Sequence, residues 1–264
     1  MRVIYTIGIW FYALGVRIAA LFGHAKARLM VQGWKTSGSV EWRRPGHEAD
    51  GVPTAWFHAA SLGEFEQARP LIERLKAQHP QQKIVVTFFS PSGYELRKDY
   101  ALADGVYYLP FATRRNAKRF LNALQPCMAF FIKYEFWKNY LTQLHRHHVP
   151  TYSVASIFRP NQIFFRSYGK NYARVLQCFT HFFVQNETSR QLLAQCGLDN
   201  VTIVGDTRFD RVIQICQQAK TVPMAEAFAQ TRPQGSEILV AGSTWPADED
   251  ILIPYFNCLS KCGQ

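Results

Sequence analysis

A short segment near residue 60 places a carboxylate where a strand gives way to a helix. The segment from His58 to Glu64 reads HAASLGE; an apolar run suited to a buried strand precedes it, and a helical pattern over 65–78 follows. Glu64 is therefore expected at the carboxyl edge of a parallel sheet, outside which open α/β sheets bind their ligands. A carboxylate there is suited to act as a general base. Ser61 and Glu64 also have the spacing of a capping box, in which both side chains bond free N–H groups at a helix start.

A second carboxylate follows another apolar run. Glu135 comes after the candidate strand Met128–Ile132, and Trp137 and Asn139 begin the next helical pattern. We expect Glu135 at the same sheet edge, where it positions a bound group or orients the site. The alternative is a helix N-terminal acid that the helix dipole favours.

Short apolar runs alternate with helical patterns beyond residue 51. This alternation predicts βα units and a doubly wound parallel sheet over 26–216. Residues 217–236 lose the rhythm and indicate a linker, after which Glu237–Ala241 is expected to open a second, incomplete domain over 237–264. The candidate strands of the first domain are Ala55–His58, Lys83–Phe89, Gly105–Leu109, Met128–Ile132, Thr151–Ala155, His181–Val184 and Val201–Val204.

The turn Gly242-Ser243-Thr244 follows the expected strand Glu237–Ala241. Its backbone N–H groups can receive a phosphate at the start of a helix, and Glu249 is a candidate for the same site. A plain strand-to-helix turn capped by Ser243 or Thr244 is the alternative.

Composition limits the partners of the chain. Its 264 residues are 48% hydrophobic and carry a net charge of +11, which favours an anionic partner. Lys and Arg are spread along helices and loops without a recognised nucleic-acid motif, so nucleic acid is not expected. The six cysteines lack CxxC pairing and indicate buried reduced thiols in a cytosolic domain. No metal site is expected, because crowded His145, His147 and His148 fit a polar helix end better.

The N-terminus indicates a membrane contact. Val3–Val16 is uninterrupted apolar and aromatic sequence, and Arg17 precedes a second short apolar run. Residues 1–25 are expected to form an anchor helix that spans the bilayer with Arg17 snorkelling or lies in its interface. Basic residues after the helix favour the cytoplasmic face, where anionic lipid attracts them. A cleaved signal peptide is the alternative.

Five segments in order resemble those of the lipid A Kdo transferases, which move 3-deoxy-manno-octulosonic acid (Kdo) from CMP-Kdo to a lipid A precursor. The resemblance implies two facing Rossmann-like domains (the GT-B arrangement), an inverting transfer, no cofactor or metal, and a place at the cell inner membrane. It extends to about residue 250, so a complete second domain would need roughly 150 further residues. We expect a truncated chain that can fold its first domain and still be inactive. The segments are HAASLGE over 58–64, the turn Thr87–Gly93, KYEFWKN over 133–139, GDTRFD over 205–210 and AGST over 241–244.

The resemblance also assigns roles to residues. Glu64 matches the catalytic glutamate of a Ser-x-Gly-Glu motif, with Ser61 and Gly63 beside the acceptor. Glu135 matches the second acid of a Glu-x-Glu motif whose first acid is replaced here by Lys133.

Three further positions follow from it. Ala155 stands where most members carry an arginine, and Arg159 is the nearby candidate for an anionic acceptor group. Arg208 matches a lysine on the nucleotide-sugar side; a surface ion pair of Arg208 with Asp210 is the alternative. Two other functions stay open: a membrane-associated lipid-binding module without catalysis, and a different lipid-linked GT-B sugar transferase.

Overall fold

Seven apolar runs of the chain form one parallel sheet. The computed structural model describes residues 2–39, 52–217, 221–233 and 238–261. All seven predicted strands are confirmed, with ends shifted by one or two residues. The strands are β1 Thr54–Ala59, β2 Lys83–Phe88, β3 Gly105–Tyr108, β4 Pro126–Ile132, β5 Thr151–Ser156, β6 His181–Val184 and β7 Val201–Ile203.

The strand order defines the doubly wound topology. The sheet runs β3-β2-β1-β4-β5-β6-β7, and every neighbouring pair is parallel. The chain winds outward from β1 in one direction and from β4 in the other, so the order reverses between these two adjacent strands. A crevice at such a switch point is where open α/β sheets bind ligands.

Helices connect the strands and precede the sheet. Helix α6 ends at Arg146 with His147 as its C-cap, which confirms the predicted helix end at the histidines. The described helices are α1 Arg2–Leu21, α2 Ala25–Ser39, α3 Leu62–Gln78, α4 Pro91–Arg97, α5 Arg114–Leu124, α6 Lys138–Arg146, α7 Lys170–Ala173, α8 Glu187–Ala194, α9 Arg208–Gln217, α10 Pro223–Gln230 and α11 Pro246–Lys261.

Both faces of the sheet are buried. Successive residues of β1 point to opposite faces: Trp56 packs with Phe120 and Tyr140 of α5 and α6, whereas Phe57 belongs to the cluster of α3. All six residues of β1 are buried, which explains its continuous apolar sequence. This central strand therefore fixes where the segment after it begins.

Helices α1 and α2 pack near the carboxyl ends of β2 and β3. Trp34 of α2 contacts Phe111, which follows β3, with ring centroids 5.0 Å apart, and it also contacts Phe89 after β2. Tyr12 of α1 lies 5.9 Å from the Phe89 ring. Among the described helices, none has the length and apolar content needed to cross a membrane.

The chain divides into two units, Met1–Cys216 and Gln217–Gln264. In the second unit the expected linker contains helix α10, so that stretch is not irregular throughout. The expected strand at 237–241 is wrong where it can be assessed: residues 238–241 have no strand structure, and Glu237 lies outside the described residues. A lone strand has no neighbour to accept its backbone hydrogen bonds, which accounts for this outcome.

The cysteines are less buried than predicted. Cys127, Cys178 and Cys196 are half-buried, and Cys216 and Cys258 are exposed; all five are free thiols. Cys262 lies outside the described residues. The apolar runs around them lie partly on exposed helix faces, so local hydrophobicity overestimated their burial.

Candidate functional site

The candidate site lies at the carboxyl ends of β1 and β4, the switch point of the sheet. His58 of β1 pairs in register with Phe131 of β4. The chain leaves β1 toward Glu64 and leaves β4 toward Glu135. The predicted placement of both carboxylates at one sheet edge is therefore confirmed.

Glu64 bonds the backbone just before its helix. The Ala60 N–H donates to Glu64 Oε2 at 2.5 Å. Ser61 is the N-cap of α3, but its side chain makes no capping hydrogen bond, so the reciprocal capping box is not formed. Gly63 is exposed, and an added Cβ there would meet open space. Packing within the protein therefore does not demand glycine at that position.

The environment of Glu64 shifts its proton affinity. Burial, followed by the nearby Glu135 carboxylate, raises the pKa of Glu64 to about 7, against the opposing effects of the Ala60 N–H, His58 and Lys133. A carboxyl group with such a pKa exchanges its proton near neutral pH, which suits general-base catalysis.

Glu135 is held by two donors. His58 Nε2 lies 3.0 Å from Glu135 Oε2, and Trp137 Nε1–H donates to the same oxygen. The carboxylate is only 11% exposed, and helix α6 begins three residues later at Lys138. Glu135 therefore lies outside the first turn of α6, and its role as a helix N-terminal acid is not supported.

His58 is a site residue that sequence reasoning left without a role. Its ring is fully buried; Nδ1 lies 2.9 Å from Thr87 Oγ1, which accepts a hydrogen bond from Trp56 Nε1. Nδ1 also lies 3.1 Å from the Thr87 carbonyl oxygen, which can only accept, and Nε2 faces Glu135 Oε2. The only signal in the sequence is a histidine inside an otherwise apolar strand.

Two residues at the switch point have left-handed backbone. Lys133 has φ 58° and Ala155 has φ 53°, in a region that non-glycine residues seldom occupy. The Lys133 N–H donates to the Val154 carbonyl at 2.9 Å, and the Ser156 hydroxyl donates to the Lys133 carbonyl at 3.0 Å. These bonds between neighbouring strand ends hold the unusual conformation beside Glu135.

Arg159 follows β5 at the same sheet edge. Its side chain is exposed, and its backbone N–H donates to Gln162 Oε1 at 3.1 Å. Within the described ranges its guanidinium forms no ion pair. The structure therefore leaves it available to an anion without bringing it to Glu64.

Arg208 pairs with a different acid from the one expected. Its Nε lies 2.8 Å from Asp206 Oδ2, whereas Asp210 is exposed and is not the partner. Arg208 is the main reason that the pKa of Asp206 lies below its usual range, and Lys133 contributes in the same direction. The ion pair follows β7 and so belongs to the first unit.

Residues 242–244 have a different local structure from the predicted one. Helix α11 begins at Pro246, so neither Ser243 nor Thr244 caps it; the Trp245 N–H instead donates to Asp248 Oδ2 at 2.9 Å. Gly242 and Ser243 precede this turn, and Ser243 has φ 59°. The Thr244 hydroxyl donates to Glu249 Oε1 at 2.8 Å, which brings those two candidates together.

Metal ligands are not grouped in the described part of the chain. No set of three His, Cys, Asp or Glu side chains there is arranged to hold a metal ion.

The parallel sheet, with its strand order reversing between β1 and β4, defines an α/β domain of Rossmann-like topology. The family model of 3-deoxy-D-manno-octulosonic-acid transferase (kdotransferase) matches residues 28–211. The chain therefore belongs to the Kdo transferase family.

Curated relatives agree with this assignment, and a solved structure has the same fold. The 3-deoxy-D-manno-octulosonic acid transferase of Haemophilus influenzae is 28% identical over 211 residues, 77% of this chain and 48% of the relative. That of Chlamydophila psittaci is 25% identical over 79% of this chain and 49% of the relative. The chain thus spans about half the length of these relatives. A UDP-GlcNAc 2-epimerase from Methanocaldococcus jannaschii shares the fold, with a TM-score of 0.53 at 12% identity, over 78% of this chain and 62% of that one.

Proposed function

We propose that this chain is the acceptor-binding half of an inverting Kdo transferase that moves Kdo from CMP-Kdo to the lipid A precursor lipid IVA. The observation that carries the proposal is Glu64 at the switch point, with a pKa of about 7 and the held carboxylate of Glu135 beside it. Membership of the Kdo transferase family supports Kdo transfer as the reaction, and Glu64 at the switch point supplies the base that the transfer needs.

The reaction needs a base for the acceptor alcohol. The Glu64 carboxylate takes the hydroxyl proton as the alcohol oxygen forms a bond to the anomeric carbon of Kdo. The bond from that carbon to the CMP oxygen breaks on the opposite face, so the configuration inverts and CMP leaves with the bonding electrons. Burial and then the neighbouring Glu135 carboxylate raise the pKa of Glu64, which makes its carboxylate a stronger base.

A chain of aromatic contacts supports an amphiphilic acceptor. Tyr12 of α1 contacts Phe89, the Phe89 and Trp137 rings have centroids 4.8 Å apart, and Trp137 donates to Glu135. The apolar helix α1 thus lies three contacts from the carboxylates. An acceptor can place its sugar hydroxyl at Glu64 and its acyl chains along α1, with Ser61, Gly63 and Arg159 beside its sugar and phosphate groups.

The proposal places α1 in the interface of the inner membrane, on the cytoplasmic face. Trp10, Phe11 and Leu14 are each at least half exposed, which is costly for a helix that meets only water. Aromatic side chains favour the headgroup region, and Arg17 can reach anionic lipid from there.

The donor contacts belong to the same proposal. Arg208 is a candidate for binding the nucleotide-sugar. Gly242, Ser243, Thr244 and Glu249 are further candidates, with backbone N–H groups that can bond the CMP phosphate.

The proposal is tested by a transfer assay with CMP-Kdo and lipid IVA. The chain is assayed alone and fused to the C-terminal half of the Haemophilus influenzae relative. Transfer by the fusion is expected to fall at least about a hundredfold in Glu64→Gln, because the amide cannot take a proton. The matched control Glu73→Gln, on the same helix, is expected to keep its rate. Equal transfer by Glu64→Gln, or none by the unsubstituted fusion, would overturn the proposal.

A further inference from the structure

Positive charge is concentrated on one set of helices. Helices α1, α2, α5 and α6 contain no acidic residue, whereas α3 and α4 carry several. Between residues 105 and 186 the sequence has eleven Lys or Arg residues and one acid, Glu135. A surface with cations and no acids attracts anions more strongly than the net charge indicates.

A cavity of about 170 Å³ lies where α1 meets α5 and α6. Its cations come from two elements: Arg114 begins α5, and Lys138 and Arg146 lie at the two ends of α6. Tyr5 and Thr6 of α1 close the cavity on one side, and Asn139, Thr142 and Gln143 supply further polar groups. The Lys138 Nζ lies 5.7 Å from the centroid of the Tyr5 ring, so this ammonium is positioned by a cation–π contact.

The three cations have no opposite charge of their own. None of Arg114, Lys138 and Arg146 pairs with a carboxylate in the portion of the chain that the structure describes. Two guanidinium groups and an ammonium are the donors that bind phosphate oxygens, with arginine forks bonding two oxygens at once. The cavity is large enough to hold one phosphate group.

The neighbouring surface of α1 indicates which kind of phosphate-bearing ligand the cavity binds. An open apolar groove of about 380 Å³ is lined by Ile7, Trp10, Phe11, Leu14 and Arg17 of the same helix. Its four apolar residues lie about 140° to 240° around the helix axis from Tyr5, so the groove and the cavity are on different faces of α1. Because the proposed function places α1 in the membrane interface, a phospholipid phosphate can reach the cavity at headgroup level while acyl chains meet the groove.

We propose that the cavity formed by Arg114, Lys138 and Arg146 is a binding site for the phosphate of an anionic phospholipid headgroup. The site fixes the rotation of α1 on the membrane, so that its apolar groove faces the acyl chains. The inference rests on the proposed membrane contact of α1 and is independent of catalysis by Glu64.

The test compares two double variants that remove the same charge. Arg114→Gln with Arg146→Gln empties the cavity of its guanidinium groups, while Lys138 keeps its contact with Tyr5. Arg115→Gln with Arg119→Gln removes two exposed cations from α5 outside the cavity. Affinity for phosphatidylglycerol vesicles is expected to fall about tenfold or more in the cavity variant and less than about threefold in the control. Circular dichroism and the thermal midpoint of both variants are compared with those of the unsubstituted chain.

Three outcomes would overturn the inference. Equal losses in the two variants would show that net charge alone drives binding. Equal affinity of the unsubstituted chain for phosphatidylglycerol and phosphatidylcholine would show that headgroup charge is not recognised. Saturable binding of inorganic phosphate that only the cavity variant loses, with unchanged vesicle affinity, would assign the cavity to a free anion. Absence of binding to either kind of vesicle would instead refute the membrane contact in the proposed function. The transfer assay with Glu64→Gln tests catalysis and has no bearing on the vesicle-binding results.

Discussion

The carboxylate of Glu135 depends on two donors, and the indole of Trp137 is the one that a substitution can remove with least loss of packing. Trp137→Phe keeps a ring against Phe89 and removes the N–H that bonds Glu135 Oε2. The free energy of unfolding is expected to fall by about 1.5 kcal/mol, because a hydrogen bond to a charged group is lost. Urea unfolding measures this change; an unaltered free energy would contradict the assigned bond.

The raised pKa of Glu64 predicts a pH-dependent cost in stability. The folded chain holds the Glu64 proton up to about pH 7, whereas the unfolded chain releases it near the usual glutamate pKa of 4.5. The folded state therefore loses stability as pH rises through this window. Glu64→Gln has no carboxyl group to titrate here, so its free energy of unfolding does not fall in this way. Relative to the unsubstituted chain, its free energy of unfolding should rise by about 1–3 kcal/mol between about pH 5 and pH 8.

Urea unfolding of the two proteins at about pH 5 and about pH 8 checks this prediction. The expected gain is smaller than the free energy that corresponds to the full pKa shift, because Glu64 is partly accessible to solvent. A difference between the two proteins that stays constant with pH would contradict the raised pKa.

The positions of Glu64 and Glu135 could be predicted from sequence, but their surroundings could not. Each acid follows an apolar run and precedes a helical pattern, so the sheet edge was determined locally. The bond from His58 to Glu135 joins residues 77 positions apart and depends on the pairing of β1 with β4. No spacing along the chain indicates that register.

Helix α2 packs on the edge of the sheet through a glycine. A Cβ at Gly33 would lie 2.6 Å from the Tyr108 ring, whereas a Cβ at Gly15 of α1 would meet open space. Gly33→Ala is expected to destabilise the chain by about 1–3 kcal/mol through overpacking. Gly15→Ala should be neutral or stabilising by up to about 1 kcal/mol, because alanine favours the helix. Thermal unfolding compares the two; equal effects would show that α2 does not pack closely on Tyr108.

The elements of the sheet were predictable because each strand is bounded by its own turn signals. The first helical turn of α3 was not, since Leu62 and Gly63 lie before the periodic pattern begins. The strand expected at 237–241 failed for another reason: a strand forms only with a neighbour, which local sequence does not supply.

On the scale of the whole molecule, the fold collects charge that is scattered in the sequence. Arg114, Lys138 and Arg146, which are up to 32 positions apart in the sequence, line one cavity beside α1 that has no acid among its lining residues. The sequence alone therefore indicated an anionic partner but not the face that meets it.

The exposed side chains of α1 give a prediction at this scale. Trp10→Ser with Phe11→Ser removes two large apolar groups that are 51% and 69% exposed. Affinity for neutral phosphatidylcholine vesicles should fall by at least about tenfold, because each buried aromatic contributes roughly 1.5–3 kcal/mol. Vesicle sedimentation measures the change, with Leu96→Ser on α4, also exposed, as the control. Equal binding by the double variant and the control would contradict the proposed interface.

The proposed transfer requires a carboxyl group at the switch point that gains and loses its proton near neutral pH. The most direct measurement is a ¹³C NMR titration of the side-chain carboxyl of Glu64 in the folded chain, with the resonance assigned by its loss in Glu64→Gln. We predict a midpoint of about 7. A midpoint at or below the usual glutamate pKa of 4.5 would contradict the proposed base, since burial beside Glu135 would then have no effect on it.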